Sequence, residues 1–555
     1  MSRRLASWLV LGLFALSFAF LTYANLYWRG CHVDNDDTYE TLLVARSLLH
    51  GDGNVAPALD LDTLDYLRQH GRSRPPWPNM ERPLALVLPV AFLEALVGER
   101  LEAVQVFSLL SFLGSLVLVF LIGRSAAGTG AGLLGTAALL VNRDTWGLAL
   151  SGMSECYQAF LTLAAVGLAL CVRNPWGWAG AGAVSMAMAT LRPSLLPIVL
   201  LVGWLAWAQV GNGSSEATRG RRRAVGWFLA AVLLVGLGYL VANRLTTGFW
   251  VADARGGSGM REGTRLTYPG LDGCYPDYLA PLAVLKVCAG DVAKRTIANL
   301  MDAVGSIHDM IGAAWVLPAF LLAFPLRSNR TAWRLALVSG GVFATMVLSS
   351  AMTFAQARYL VPFGGLMFAV AATAVAQLIG FSPAGLRRGM WVAVAVAVLL
   401  CSTGWIATLS LRRPGPYVPG EEIGYLEVAP DNQRVIERLV PEGTVVMSNV
   451  AATVAWHAGR PAIMPLPQVK DIPSFEERFG FQIEAIYLTP NTVESWMPPT
   501  WTQWEDLRAA RTPPPGYEVA SVFPNGSVLF MKRDHGGKLR EGQTIAGPED
   551  RDRNW

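Results

Sequence analysis

Two adjacent carboxylates, Asp36 and Asp37, stand in the run His32-Val33-Asp34-Asn35-Asp36-Asp37-Thr38-Tyr39-Glu40. Neighbouring carboxylates repel each other and resist desolvation. A chain keeps such a pair where charge is used: to take a proton, to hold a metal, or in open water. The groups elsewhere whose types could serve such chemistry are Tyr39, Glu155 and the arginines Arg82, Arg192 and Arg358. A divalent metal is neither required nor excluded, because no His-rich constellation calls for one. The 6 Cys form no Cys/His zinc pattern and no disulfide framework.

The elements that must position these groups are largely membrane-bound. Of 555 residues 52% are hydrophobic and only 15% charged, too apolar for one soluble domain of this length. The 19 Trp and 14 Tyr suit interfacial belts as well as cores. A net charge of +4 leaves no basic stripe once the loop arginines are explained, which argues against a nucleic-acid partner. The Arg-, Ala- and Gly-rich composition points to a GC-rich bacterial genome.

Leu5 to Trp28, preceded by Arg3 and Arg4, reads as an uncleaved signal anchor. Ten further apolar segments follow, at about 104–123, 131–148, 155–172, 176–191, 193–209, 225–243, 309–326, 335–353, 359–380 and 389–411. Leu84 to Val97 is shorter and contains Pro89 and Glu94, so it reads as interfacial or re-entrant. Loop charge tests that choice. With this stretch left out and the N-terminus in the cytoplasm, the inner ends carry Arg3, Arg4, Arg124, Arg173, Arg219, Arg221, Arg222, Arg223, Arg327, Arg330, Arg334, Arg387 and Arg388. The short outer loops carry only Arg143, Arg192 and Arg358. Counting the stretch as a span inverts nearly every later loop.

The expectation is therefore a polytopic α-helical protein of the inner or plasma membrane, with about eleven spans over 1–411 and an outer C-terminus. Three extracytoplasmic pieces result: the first loop 29–103, a second large loop 246–308, and a small α/β domain over 412–532. Asn432–Val440 reads as a helix in that domain. Thr444–Ser448, Pro461–Met464, Ile486–Thr489, Val519–Phe523 and Ser527–Met531 read as strands. Residues 533–555 are polar and Gly-rich and read as disordered. The loop 246–308 holds Arg255, Arg261, Arg265 and His308 around Gly256-Gly257-Ser258-Gly259 and reads as solvated. The separation of Cys274 and Cys288 permits a disulfide on the outer side.

In the first loop, Thr38 to Leu49 reads as a helix lying on the membrane surface. Leu42, Ala45, Leu48 and Leu49 share a face, and Gly51 ends it. Asp37 followed by Glu40 fits a capping box with Asp37 as N-cap. Helix rules alone hold capping and catalysis at Asp37 in balance. Capping does not account for Asp36, which lies just outside the helix.

Several segments resemble GT-C glycosyltransferases in the expected order. Asp36-Asp37-Thr38-Tyr39, Ala45-Arg46-Ser47-Leu48-Leu49 and Gly51-Asp52-Gly53 resemble the first outer loop of arabinofuranosyl- and mannosyltransferase-like members and of protein O-mannosyltransferase relatives. Arg82-Pro83-Leu84 is similar to the step after that loop, with one Pro missing. Ser151-Gly152-Met153-Ser154-Glu155 is similar to an "S-G-M-E" step with one residue extra. Leu191-Arg192-Pro193, Ala357-Arg358-Tyr359-Leu360-Val361-Pro362 and Trp456-His457-Ala458-Gly459-Arg460-Pro461 complete the series.

The resemblance implies an inverting transfer of a sugar from a polyprenyl-phosphate donor to a hydroxyl of a glycan, lipid or protein acceptor, on the outer membrane face. It needs no cofactor. A carboxylate would take the acceptor proton, for which Asp36 is the first choice and Asp37 the second. Positive charge would receive the leaving lipid phosphate: Arg358 first, then Arg192 and Arg82. Each arginine also has a plain reading, as a snorkelling, helix-starting or solvated residue. Glu155 is either a helix N-terminal charge or, with Tyr39, an acceptor or metal contact. His457 and Arg460 read as structural. An O-antigen polymerase or ligase would share the span count and an Arg-bearing outer loop. It lacks the early paired acids and an α/β tail of this size. A polyprenyl-lipid flippase or transporter predicts charged or broken helices at mid-membrane, and these spans are nearly charge-free.

Overall fold

The computed structural model describes residues 12–23, 36–172, 174–210, 215–250, 281–311, 315–326, 329–352, 359–360, 363–411, 430–490 and 502–533. The chain divides into two compact units, Met1–Glu427 and Val428–Trp555.

The first unit is a helical bundle. Helix α1 (Gly12–Tyr23) packs Phe18 against Phe112 and Trp146, with ring centroids 5.9 and 5.4 Å apart. The first-loop helix α2 (Asp36–His50) begins earlier than the surface-helix pattern predicts and is far more enclosed. Leu42, Leu43, Val44 and Ala45 are all buried, as are Thr38, Tyr39, Thr41 and Ser47. An amphipathic surface helix would leave one face wet. Here the polar positions satisfy themselves: Thr41 Oγ1 donates to Asp37 O at 3.0 Å and Ser47 Oγ to Leu43 O at 3.0 Å. Gly51, at φ +84°, ends the helix as expected, because a Cβ there would be strained.

A short antiparallel pair follows, β1 (Val55–Ala56) with β2 (Trp77–Pro78), enclosing α3 (Leu61–Gln69). Helix α4 (Leu84–Val97) has 14 residues. That is about 21 Å of helix, short of the ~30 Å apolar core of a bilayer. Val87, Ala91 and Glu94 are buried, while Leu88, Phe92 and Leu96 form an exposed apolar ridge.

The bundle continues through α5 (Leu101–Ala127), α6 (Thr129–Leu140), α7 (Arg143–Ser151), α8 (Glu155–Cys171), α9 (Pro175–Leu191), α10 (Leu196–Gln209) and α11 (Ser215–Thr247). It ends in α12 (Pro281–Ile311), α13 (Val316–Leu322), α14 (Arg330–Met352), α15 (Gly364–Phe381) and α16 (Ala384–Leu411). Among the described residues, Leu101–Ala127, Arg219–Thr247, Arg330–Met352 and Gly364–Phe381 are long and apolar enough to span. The pair α7–α8, bent by 113°, makes a fifth if taken as one span. Gly12–Tyr23, Leu84–Val97, Thr129–Leu140 and Pro193–Gln209 are apolar but shorter, at 10–17 residues.

Two expectations are corrected in this unit. The segment 131–148 is broken at Asn142, whose Oδ1 accepts from Thr145 N at 2.9 Å and starts a new helix. The loop 246–308 is helical over its last part: α12 buries Val284, Cys288 and Val292 at four-residue spacing and bends at Cys288. Cys288 is a buried free thiol, and Cys274 lies outside the described residues.

In the second unit, α17 (Pro430–Leu439), β3 (Val445–Ser448), α18 (Ala451–Ala458), β4 (Ala462–Ile463), α19 (Ile472–Phe479), β5 (Ile483–Leu488), α20 (Thr502–Ala510), β6 (Tyr517–Val522) and β7 (Val528–Lys532) alternate. Strand β3 lies parallel to both β4 and β5. Strand β7 runs antiparallel to β5 and to β6. Helices α19 and α20 are additional to the elements singled out from sequence. Arg460 is structural: it donates to Val440 O at 2.9 Å, Glu437 O at 2.9 Å and Ala458 O at 3.1 Å, gathering carbonyls at two helix ends.

One carboxyl between α2 and α4 carries a pH dependence. Glu94 is 1% exposed, and among the described residues neither side-chain oxygen has a hydrogen-bond partner. Burial, reinforced by Glu99 and opposed by Arg46, pushes its carboxyl up to about 8. The folded value lies above the ordinary one. The stability held by the neutral form is therefore complete below about 4.5 and is lost as pH rises through 8. Glu94→Gln should match the parent in melting temperature near pH 5 and exceed it near pH 9, read by thermal melts of the detergent-solubilised protein.

Candidate functional site

Asp37 and Glu40 sit three residues apart and share a face of α2. Both turn to one cation. Arg82 Nε donates to Glu40 Oε2 at 2.8 Å, and Arg82 Nη2 contacts both Glu40 Oε2 and Asp37 Oδ1. The side chains of Arg82, Asp37 and Glu40 are 12%, 35% and 12% exposed. Asp37 is the second residue of the helix rather than its N-cap, and Glu40 reaches Arg82.

Arg82 is aimed by a buried asparagine pair. Asn79 Oδ1 accepts from Arg82 N at 2.9 Å, and Asn79 Nδ2 donates to Asn54 Oδ1 at 2.9 Å. Asn54 Nδ2 in turn donates to Thr246 Oγ1 at 3.2 Å, and Arg72 Nη1 to Thr247 O at 2.8 Å. The first loop is thereby tied to the C-terminal end of α11.

The start of α2 also rests on the α7–α8 bend. Thr38 Oγ1 donates to Ser151 O at 3.1 Å. Gly152, at φ +74°, lies so close that a Cβ would meet Val104 at 2.8 Å and Thr38 at 3.1 Å. Gln105 Nε2 donates to Leu150 O at 2.9 Å, fixing the bend to α5. Beyond the bend, α8 opens with Glu155, whose side chain is 4% exposed. Arg192, in extended backbone between α9 and a 3-10 turn at Pro193–Leu195, brings Nη2 to 4.0 Å from Glu155 Oε1. Its guanidinium carbon stands 4.1 Å from the ring centroid of Tyr359. Glu155 lines an apolar cleft with Phe112, Leu139, Leu148, Ala159 and Leu163.

Of the residues singled out from sequence, Asp37, Arg82, Glu155 and Arg192 fall into two charged groups, joined through the Thr38–Ser151 contact. Asp36 is the first residue of α2, and its side chain lies outside the described residues. Arg358, Arg255, Arg261 and Arg265 also lie outside, as does the side chain of His308. Tyr39 is buried within the packing of α2. Two nitrogens of Arg82, Nε and Nη2, are held by carboxylates of its own chain. Among the described residues no group of three or more His, Cys, Asp and Glu is placed to hold a metal. Sequence reading missed the roles of Asn54, Asn79 and Gly152. Gly152 alone had a signal, as the glycine of the "S-G-M-E" step.

No family model matches this chain, and no curated protein matches it in sequence. Its fold does have solved counterparts. ArnT from Cupriavidus metallidurans bound to undecaprenyl phosphate is similar at a TM-score of 0.59 and 12% identity, covering 95% of this chain and 98% of that one. The archaeal oligosaccharyltransferase AglB from Archaeoglobus fulgidus, in complex with an inhibitory peptide and a dolichol-phosphate, gives 0.51 at 11% identity, covering 96% of this chain and 75% of that one. The Archaeoglobus fulgidus oligosaccharyltransferase complex with Zn and sulfate gives 0.52 at 12% identity, over 85% and 68%. All are GT-C membrane glycosyltransferases, and this chain has their fold.

Arg82→Met removes one cation and leaves two carboxylates facing each other. Exposed pairs contribute at most about 1 kcal/mol, and breaking a buried one costs on the order of 3. This partly exposed group should fall between, measured as a loss of thermal stability. Adding Glu40→Gln should recover part of it.

Proposed function

We propose that this chain is a membrane glycosyltransferase that moves a sugar from a polyprenyl-phosphate donor to an acceptor hydroxyl on the extracytoplasmic face. The observation that carries the reading is the meeting of an acidic helix start with an arginine-bearing helix junction at one end of an apolar bundle, in the GT-C fold. The structural neighbours support the ligand classes. One is bound to undecaprenyl phosphate and another to a dolichol-phosphate and a peptide.

Charge asymmetry supports the side of the membrane. Arg124, Arg221, Arg330 and Arg387 lie at helix ends opposite to Glu155 and Arg192 along the chain's up-and-down course. The positive-inside rule makes their end cytoplasmic and the site's end external. No soluble nucleotide sugar would reach the site from the cytoplasm, whereas a lipid-linked donor would. The N-terminus is then cytoplasmic and the second unit extracytoplasmic, at the inner or plasma membrane.

The acceptor oxygen attacks the anomeric carbon while its proton passes to a carboxylate. The bond from that carbon to the phosphate oxygen breaks on the opposite face, so configuration inverts. The leaving group is a lipid phosphate monoester anion, which needs positive charge and no proton donor. Asp37 Oδ1 is committed to Arg82, which leaves Asp36 as the base and Asp37 as the brace of the helix start. Arg192, stacked on Tyr359, supplies charge for the phosphate, and Arg358, which precedes Tyr359 in the sequence, adds to it. The acceptor is a hydroxyl of a glycan, lipid or protein, and no cofactor is needed.

Asp36→Asn should reduce transfer by roughly 10²–10⁴-fold, the usual contribution of general base catalysis. The measurement is sugar transfer by protein reconstituted in lipid, with insertion verified. Full activity in that variant would sink the assignment.

A further inference from the structure

Glu155 is a buried acid beside Arg192 that the transfer step leaves unused. Its side chain is 4% exposed, and among the described residues no group donates a hydrogen bond to it. Its one charged neighbour among them, Arg192, stands at 4.0 Å, outside hydrogen-bond distance. A buried carboxylate is costly unless its lone pairs are filled. Arg192 offsets the charge but does not fill them. Glu155 also lines a cleft together with Phe112, Leu139 and Leu148. The site therefore holds an acceptor of hydrogen bonds with no donor supplied by the described protein.

We infer that Glu155 recognises the donor sugar by accepting a hydrogen bond from the hydroxyl next to the anomeric carbon. The inference rests on Arg192 receiving the donor phosphate. In a sugar phosphate the anomeric carbon is bonded directly to a phosphate oxygen, so the hydroxyl one carbon further on is the nearest ring donor to the phosphate. A carboxylate 4.0 Å from the phosphate-binding cation is within reach of that hydroxyl and of little else on the ring. The substrate class follows: a hexose or pentose with a free 2-hydroxyl. A 2-deoxy sugar brings no donor.

The test is binding of five lipids to the reconstituted full chain: undecaprenyl phosphate, undecaprenyl-phosphate-linked hexose and pentose, and the 2-deoxy analogue of each sugar lipid. The wild type should bind at least one sugar-bearing lipid about 10–100-fold more tightly than its 2-deoxy analogue, the span expected of a hydrogen bond to a charged group. Glu155→Gln, which keeps the side-chain shape, should lose most of that discrimination and bind undecaprenyl phosphate as the wild type does. A parallel loss for undecaprenyl phosphate in Glu155→Gln would reduce Glu155 to a support for Arg192 and overturn the inference. Equal binding of the hydroxy and deoxy lipids by the wild type overturns it without any variant. A wild type that binds no undecaprenyl lipid overturns the reading of the whole site, and this inference with it.

Discussion

A single guanidinium between two carboxylates fixes the start of the first-loop helix. Asp37 and Glu40 lie on one face of α2, and without Arg82 their charges would face each other in a largely enclosed place. Arg82 resolves this and brings its own constraints. Its backbone is held by Asn79, Asn79 is held by Asn54, and Asn54 reaches Thr246 at the end of α11. The position of the acidic helix start is thus set by residues from three distant parts of the chain. The two asparagine side chains would otherwise be buried unpaired, which makes the middle of this chain of contacts costly to break.

The bend between α7 and α8 does the corresponding work for the second charged group. Asn142 starts α7 and Gly152 ends it, so a segment apolar enough to cross straight through turns by 113° instead. The turn brings Ser151 under Thr38 and puts Glu155 at the head of α8. Only glycine fits at position 152, because the backbone is left-handed there and Val104 and Thr38 leave no room for a Cβ. The two charged groups are therefore joined by backbone and packing rather than by each other's charge.

Local patterns were legible in the sequence where local physics decides. The first-loop helix and its Gly51 stop, the non-spanning length of α4 and the helix–strand alternation of the second unit all follow from spacing and length. Partnership was not legible. Asp37 with Glu40 satisfies every local rule for a capping box, and the cation that recruits both is 45 residues from Asp37. The break at Asn142 was hidden because the polar run Asn142-Arg143-Asp144-Thr145 is short and lies between two apolar stretches. The helix Pro281–Ile311 was hidden because its buried stripe is only Val284, Cys288 and Val292, amid charged neighbours. Glu155 and Arg192 were each found singly, as ends of different helices. Their proximity is a property of the packing of α8 against α9.

The contrast between the two arginines argues for which one meets a ligand. Arg82 is held on two nitrogens by two carboxylates, so an incoming phosphate would have to displace both and leave two like charges behind. Arg192 has one carboxylate at 4.0 Å, an aromatic face beneath it and 27% of its side chain open. An anion approaching Arg192 displaces no formed hydrogen bond to Glu155 and keeps the stacking on Tyr359, which orients the planar fork. Glu155 repels that anion at close range, so the pair is tuned rather than merely attractive. A phosphate bound there would be drawn to the far edge of the guanidinium, leaving the side nearest Glu155 for a group that donates hydrogen bonds. A hydroxylated ring attached to the phosphate meets both demands at once, which neither a bare phosphate nor an uncharged sugar does.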